Sequence, residues 1–264
     1  MKRIKITTFI ALLILIGITK SVAQVATPPH LYANNTNAWF MYFGDHKLSD
    51  KWGIHLEAQA RRADLVANWQ QLLLRTGVNY YLSSQIFATA GYCFVQTHPY
   101  GGFPVNATFP EHRLWEQLQI KQQLEQFEWV TRFRLEQRFS NLPVLNPTDN
   151  TFAPGDAVYT NRFRLLNRFS LPFKGKTIVD KSLYISAYDE FFINFGEKIA
   201  TNFLDQNRAY VALGYKIPNV GKLEVGYMMQ NIFRGDGVKI ENNSTLQIGL
   251  ISTIDFYNKA VINP

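Results

Sequence analysis

The sequence predicts an all-β fold, an antiparallel up-and-down transmembrane β-barrel. Apolar and polar residues alternate with a period of two along nearly the whole chain after residue 24, and this period is typical of strands whose two faces meet different surroundings. Most alternating segments run about ten residues or more, the length that a tilted strand needs to cross a bilayer. Strands of soluble proteins are usually about half as long, so strand length favours a membrane barrel over a soluble β-domain.

The N-terminus has the composition of an export signal. Positive residues precede an apolar stretch at residues 6–18, and Ser21–Ala23 supplies small residues at the positions that a signal peptidase reads. We predict cleavage after Ala23, so that residues 1–23 are a signal peptide and residues 24–264 form a single outer-membrane β-barrel domain. An uncleaved membrane anchor is the alternative, but the apolar stretch is short for a membrane-spanning helix.

Charge and cysteine content exclude several classes of protein. Cys93 is the single cysteine, so an intrachain disulfide or a cysteine-based metal site is not expected. The net charge of +7 would suit a protein that binds nucleic acid. Here, however, the chain is predicted to be exported, and its arginines fall on strand faces with inward parity. We therefore expect no nucleic acid partner. The expected partners are outer-membrane lipids, lipopolysaccharide and the barrel insertion machinery.

The strands can be read along the chain from the alternation. In Lys51–Arg62, for example, apolar residues occupy one face while His55, Glu57, Gln59 and Arg61 occupy the other. About eleven such segments can be counted. They start near residues 37, 51, 68, 86, 111, 127, 158, 182, 207, 222 and 243.

Connections of alternating length set the expected topology. Short connections follow the segments at 47–50, 83–85, 124–126 and 218–221, and longer ones lie at 98–110, 140–156, 196–206 and 234–242. Outer-membrane barrels have short periplasmic turns, long external loops and even strand numbers. We therefore expect twelve strands, with ten as the alternative. Either a short strand near Leu31–Asn35 completes the set, or one segment lies off the barrel wall.

Aromatic residues cluster near the ends of the predicted strands. Amphipathic rings favour the headgroup region of a membrane, so these residues predict interfacial girdles, with ordinary β-propensity as the alternative. The predicted girdle residues are Trp39, Trp52, Trp69, Tyr80, Tyr81, Trp129, Tyr159, Phe169, Phe195, Tyr215, Tyr227, Phe233 and Phe256.

Charged residues have inward parity on many of the strands. The candidate lumen charge network comprises Arg113, Arg132, Arg134, Glu136, Arg138, Arg162, Arg164, Arg168, Glu190, Arg208, Glu224 and Gln230. Neighbouring arginines repel one another strongly in a poorly solvated space unless carboxylates pair with them. The network therefore indicates packing by arginine–carboxylate ladders, or a surplus of positive charge that binds or conducts an anion. A catalytic role is a third, weaker interpretation.

Catalytic signals are weak. Glu111 and His112 are adjacent in a strand and so face opposite sides. Ser140, His98 and His112 lie near predicted strand ends on the outer side, which an acyl hydrolase would require but which chance also explains. We expect no catalytic residue, no metal site and no cofactor.

Several segments together resemble an uncharacterised family of outer-membrane barrels found mainly in Bacteroidota, domain of unknown function 2490. The segments that carry the resemblance are Trp39–Arg61, Glu111–Gln117, Phe133–Phe139, Asn161–Arg164, Tyr188–Phe192, Asp205–Arg208, Glu224–Tyr227 and Gln230–Asn231. The resemblance covers about residues 37 to 256. It implies a barrel in a Gram-negative outer membrane and brings no known activity, substrate or catalytic residue.

Three functions remain open at this point. The first is a non-enzymatic outer-membrane barrel with a structural, binding or narrow-pore role. The second is an outer-membrane lipid-modifying hydrolase, which needs a histidine paired with a serine or carboxylate on the outer rim. The third is a soluble periplasmic β-barrel that binds a ligand. The oligomeric state stays open.

Overall fold

A computed structural model describes residues 29–197 and 203–257, so the predicted signal peptide lies outside the described residues. Its named elements are β-strands, because the alternating segments of the sequence form extended chains that pair with their neighbours. The strands are β1 (Leu31–Lys47), β2 (Trp52–Ala63), β3 (Asn68–Tyr81), β4 (Ile86–Thr97), β5 (Phe109–Leu124), β6 (Phe127–Ser140), β7 (Pro143–Asn146), β8 (Thr151–Pro154), β9 (Val158–Pro172), β10 (Leu183–Phe195), β11 (Leu204–Ile217), β12 (Gly221–Phe233) and β13 (Lys239–Ser252).

Eleven of these strands close into one barrel in the order β1-β13-β12-β11-β10-β9-β6-β5-β4-β3-β2. Neighbours along the chain pair antiparallel, as in an up-and-down meander. The closing pair is different, because β1 and β13 run parallel, from Leu31 opposite Lys239 to Gly44 opposite Ser252. The expectation of twelve strands, or ten, is therefore wrong for the described barrel: a parallel closing pair allows an odd number.

The first strand also corrects the expected N-terminal topology. Leu31–Asn35 is not a separate short strand, since it forms the beginning of β1 and pairs with β13. No counted segment lies off the wall among the described residues. The eleven alternating segments counted in the sequence correspond to the eleven strands of the described barrel.

The two ends of the barrel differ. One end, which we call the short-turn end, carries the connections at 48–51, 82–85, 125–126, 173–182 and 218–220. The opposite end, the loop end, carries the long connections. The longest of these contains the β7–β8 hairpin, which stands apart from the barrel sheet and was not expected from the sequence.

Burial is reversed relative to a water-soluble protein. Among the described residues, buried polar and charged side chains outnumber buried apolar ones, and large apolar side chains such as Leu114, Leu213 and Val225 are exposed on the outer wall. Successive side chains of a strand face opposite sides, so one face of each strand fills the lumen and the other faces outward. Within the described ranges, no helix is long and apolar enough to cross a membrane.

Two aromatic residues do not lie where the sequence predicted them. Trp39 is 1% exposed and points into the lumen, where its ring packs on the Arg61 guanidinium. Tyr81 lines a cavity at the short-turn end. Other predicted girdle residues, including Trp52, Trp69 and Tyr227, are exposed on the outer wall. The sequence placed Trp39 on the outer wall, which is wrong. Because β1 carries apolar residues on both faces, its sequence does not show which side chains point into the lumen.

Candidate functional site: the charged lumen and its cavity

Inward-pointing side chains of the barrel strands fill the lumen. The register of neighbouring strands determines which of these side chains lie side by side. Arg134 on β6 lies opposite Arg164 on β9, and Glu136 lies opposite Arg162. On the next strand, Glu190 of β10 lies opposite Arg208 of β11. Rows of arginines thus alternate with carboxylates across the inner wall.

Glu136 is the centre of the network. Its side chain has no exposed area, and it accepts hydrogen bonds from three arginines on two other strands. The distances are 2.9 Å to Arg75 Nη2, 2.6 Å to Arg162 Nη2 and 2.8 Å to Arg164 Nη1. Because Arg75 comes from β3, which is separated from β6 by β5 and β4, this carboxylate links strands that do not pair with each other.

Two further carboxylates complete what we call the central carboxylate cluster, which consists of Glu57, Glu136 and Glu190. Glu57 accepts a hydrogen bond from Arg75 Nη1 at 2.7 Å. Glu190 accepts from Arg132 Nη2 and from Arg164 Nη2, both at 2.8 Å. A buried carboxylate needs such charge-assisted partners, because burial without them is strongly unfavourable.

The loop end of the lumen is closed by a second layer. Glu111 pairs with Arg113 and Arg138, and Asp205 accepts from Arg162 Nη1 at 2.8 Å. Above them, Tyr100 in the loop between β4 and β5 donates to Glu241 Oε2 at 3.1 Å. Burial and the neighbouring Glu241 carboxylate raise the pKa of Tyr100 to about 12, so this phenol stays protonated and keeps donating.

At the short-turn end, two further carboxylates have partners of their own. Glu224 pairs with Arg168 and accepts a hydrogen bond from Tyr184 Oη at 2.7 Å. The Tyr184 ring lies against Gly214, where a larger residue would collide with it. Glu128 accepts from Lys222 Nζ at 2.7 Å.

The structure places all twelve predicted network residues in the lumen. Sequence reasoning left Glu57, Arg75, Glu111 and Asp205 out of the network, although each forms an ion pair there. The alternation of β2, β3 and β5 gives the first three inward parity and could have found them. The alternation does not predict the direction of Asp205, because the register between β10 and β11 shifts at this residue.

Two arginines of the predicted network donate hydrogen bonds only to neutral groups. Arg134 is 1% exposed, and both of its hydrogen bonds go to the Gln117 amide oxygen, at 2.7 and 3.1 Å. Arg208 donates to Gln206 Oε1 at 3.0 Å. Each has one carboxylate oxygen at the edge of ion-pair range, Glu57 Oε2 at 4.0 Å from Arg134 and Glu190 Oε2 at 3.9 Å from Arg208.

A cavity of about 490 Å³ occupies the lumen towards the short-turn end. Its rim includes Ser83 and Lys216 from the turn side, and its floor includes Arg134, Arg164 and Arg208. The ion pairs of Glu111 and Asp205 do not line it. The lumen is therefore packed towards the loop end and hollow towards the short-turn end.

The histidines are not arranged as the hydrolase interpretation requires. His112 Nδ1 contacts Tyr92 Oη on the outer wall, and His98 Nδ1 contacts Thr108 Oγ1 at 3.1 Å. His55 pairs with Asp45 at 2.8 Å, but inside the lumen. In the part of the chain that the structure describes, no serine hydroxyl is bonded to a histidine, and no group of three or more His, Cys, Asp or Glu side chains is placed to hold a metal ion.

Fold and lumen together define a closed β-barrel whose interior is crossed by arginine–carboxylate pairs. The chain belongs to the family described as protein of unknown function (DUF2490), whose model matches residues 36–242. This confirms the resemblance seen in the sequence. No curated protein and no solved structure matches the chain.

Proposed function

We propose that this protein is an integral outer-membrane β-barrel that does not conduct, with a structural or binding role. The observation that carries the proposal is the reversed burial: charged side chains fill the lumen while large apolar ones cover the outer wall. Such a surface is unfavourable in water and suited to lipid, where a closed barrel leaves no strand edge unpaired.

The polar residues of the outer wall support the same proposal by their position. Near the loop end, outward positions hold Asn34, Asn161, Asn231 and Asn242. Nearer the middle of the strands, an outward Glu116 is paired with Gln137 Nε2 at 3.1 Å. The apolar belt therefore lies towards the short-turn end, and the loop end of the wall projects beyond the bilayer, as is usual for the external side of such barrels.

The packed loop end favours a closed barrel over a narrow pore. Glu136, Glu111 and Arg113 are almost fully buried, and Tyr100 in the β4–β5 loop reaches Glu241 on β13 at the same end. An ion crossing the lumen would have to separate these pairs, and removing one partner from a buried pair costs roughly 3–5 kcal/mol.

Planar-bilayer recording of the refolded protein tests this role. Folding is verified first by the change in migration between boiled and unboiled samples on a gel. We expect no steady conductance from the folded protein. Steady anion-selective steps that vanish on charge reversal of Arg134 or Arg164 would instead establish a pore.

A further inference from the structure

We propose that the cavity at the short-turn end binds a small organic anion that has an apolar body. This inference deepens the proposed binding role and rests on it. Three features of the cavity carry it: surplus positive charge, an apolar wall and a volume that fits a small molecule.

The first feature is charge. Eight cationic and five anionic side chains line the cavity, which leaves a surplus of three positive charges. The cations are Arg132, Arg134, Arg164, Arg168, Arg208, Lys121, Lys216 and Lys222, and the anions are Asp45, Glu57, Glu128, Glu190 and Glu224.

The surplus is concentrated at two buried side chains. Arg134 and Arg208 both line the cavity, and their hydrogen bonds go to neutral glutamine oxygens. Aromatic faces supply further contacts, with the Arg134 guanidinium 4.7 Å from the Trp115 ring centroid and that of Arg208 4.5 Å from Phe192. The carboxylate oxygen nearest to each lies only at the edge of ion-pair range, at 4.0 Å and 3.9 Å. A guanidinium held in this way can accept a carboxylate in a bidentate pair.

The second feature is the wall that faces these arginines. Trp39, Met41 and Phe43 project into the cavity from β1, and Ile251 continues the surface on the neighbouring β13. The cavity thus has arginines on β6, β9 and β11 and apolar side chains on β1 and β13. A ligand with one anionic end and one apolar end matches both.

The third feature is the space itself. The volume of about 490 Å³ falls in the range of small-molecule sites, roughly 300–1,000 Å³. Part of it lies beside Gly249, where an added Cβ would meet nothing nearer than Met41 Cε at 3.8 Å. A Cβ at Gly249 would therefore enter the cavity without colliding with the backbone, and a longer side chain there would occupy part of its volume.

The test is calorimetric titration of the mature protein, refolded in an uncharged maltoside detergent and verified by its gel shift. The probe is 4-phenylbutyrate, with 4-phenylbutyramide as its neutral analogue and inorganic phosphate as an anion without an apolar body. We expect the carboxylate to bind at least tenfold more tightly than either of the others. Equal binding of the amide would overturn the charge argument, and equal binding of phosphate would overturn the apolar one.

Variants localise the binding. We expect Arg134→Gln and Arg208→Gln each to weaken 4-phenylbutyrate binding about tenfold or more, and Gly249→Leu to abolish it while leaving every charge in place. Arg138→Gln, a lumen arginine outside the cavity, is the matched control and should bind like the parent. Binding that none of the variants changes, or no binding by protein that shows the gel shift, would overturn the inference but not the barrel. Protein that shows no shift and stays soluble would overturn the proposed function instead.

Discussion

At the residue scale, the lumen shows how one carboxylate can organise several arginines. Glu136 accepts hydrogen bonds from Arg75 on β3 and from Arg162 and Arg164 on β9, strands that lie on either side of β6 along the wall. Burial of such charges is unfavourable in itself, so the stability of each depends on the others. The loss of one member leaves the rest uncompensated.

Replacement of Glu136 by Gln tests this dependence. The change leaves three arginines without their shared carboxylate, and we expect the free energy of unfolding in urea to fall by roughly 3–5 kcal/mol for protein folded into phospholipid vesicles. Glu116→Gln, on the outer wall of the same β5–β6 region, is the control and should change it by less than about 0.5 kcal/mol. Equal small effects of both changes would contradict the network.

Residue-level prediction from the sequence succeeded where alternation is clean and failed where it is not. Arg134 and Arg164 lie on strands with one polar and one apolar face, so their direction follows from parity. Trp39 lies on β1, which has two apolar faces. Whether its side chain points inward is set by the pairing of β1 with β2 and β13, which the sequence of β1 does not reveal. The pairing of Arg75 with Glu136 joins residues 61 apart in sequence, and local pattern carries no information about it.

At the scale of elements, the β1–β13 pair is the least expected feature. Period-two alternation locates strands but does not determine which strands meet, so parallel closure could not be read from the sequence. The pair runs from Leu31 to Gly44 without a shift in register, and it makes an odd number of strands compatible with a closed wall.

Spin-label distances test the parallel pairing, with Cys93→Ser as background. We expect short distances of about the spacing of adjacent strands, plus label length, for two label pairs: Thr36 with Ser244, and Tyr42 with Leu250. Two short distances require parallel neighbours. If the strands were antiparallel or separated by another strand, at least one of the pairs would be far apart.

The outer face of β12 tests where the apolar belt lies. Val225 is exposed on the outer wall, and Asn231 faces outward nearer the loop end of the same strand. In vesicles, we expect Val225→Arg to lower the free energy of unfolding by roughly 2–4 kcal/mol and Asn231→Arg by roughly 0–1 kcal/mol. Similar costs at both positions would place the belt elsewhere or exclude it.

At the scale of the whole molecule, the closed wall, the reversed burial and the one-ended cavity belong together. Because successive side chains of a strand face opposite sides, an apolar outer wall leaves the polar positions to the interior, where buried charges need partners. The ion pairs of Glu111 and Asp205 lie outside the cavity, towards the loop end. The family model matches residues 36–242, and its description gives no function.

Membrane residence is the central claim, and gel heat-modifiability combined with outer-membrane fractionation tests it most directly. We predict that the protein is found in the outer-membrane fraction and that the unboiled form migrates differently from the boiled one, because a closed barrel resists detergent until it is heated. Protein in the soluble periplasm that shows no change in migration on boiling would contradict the account.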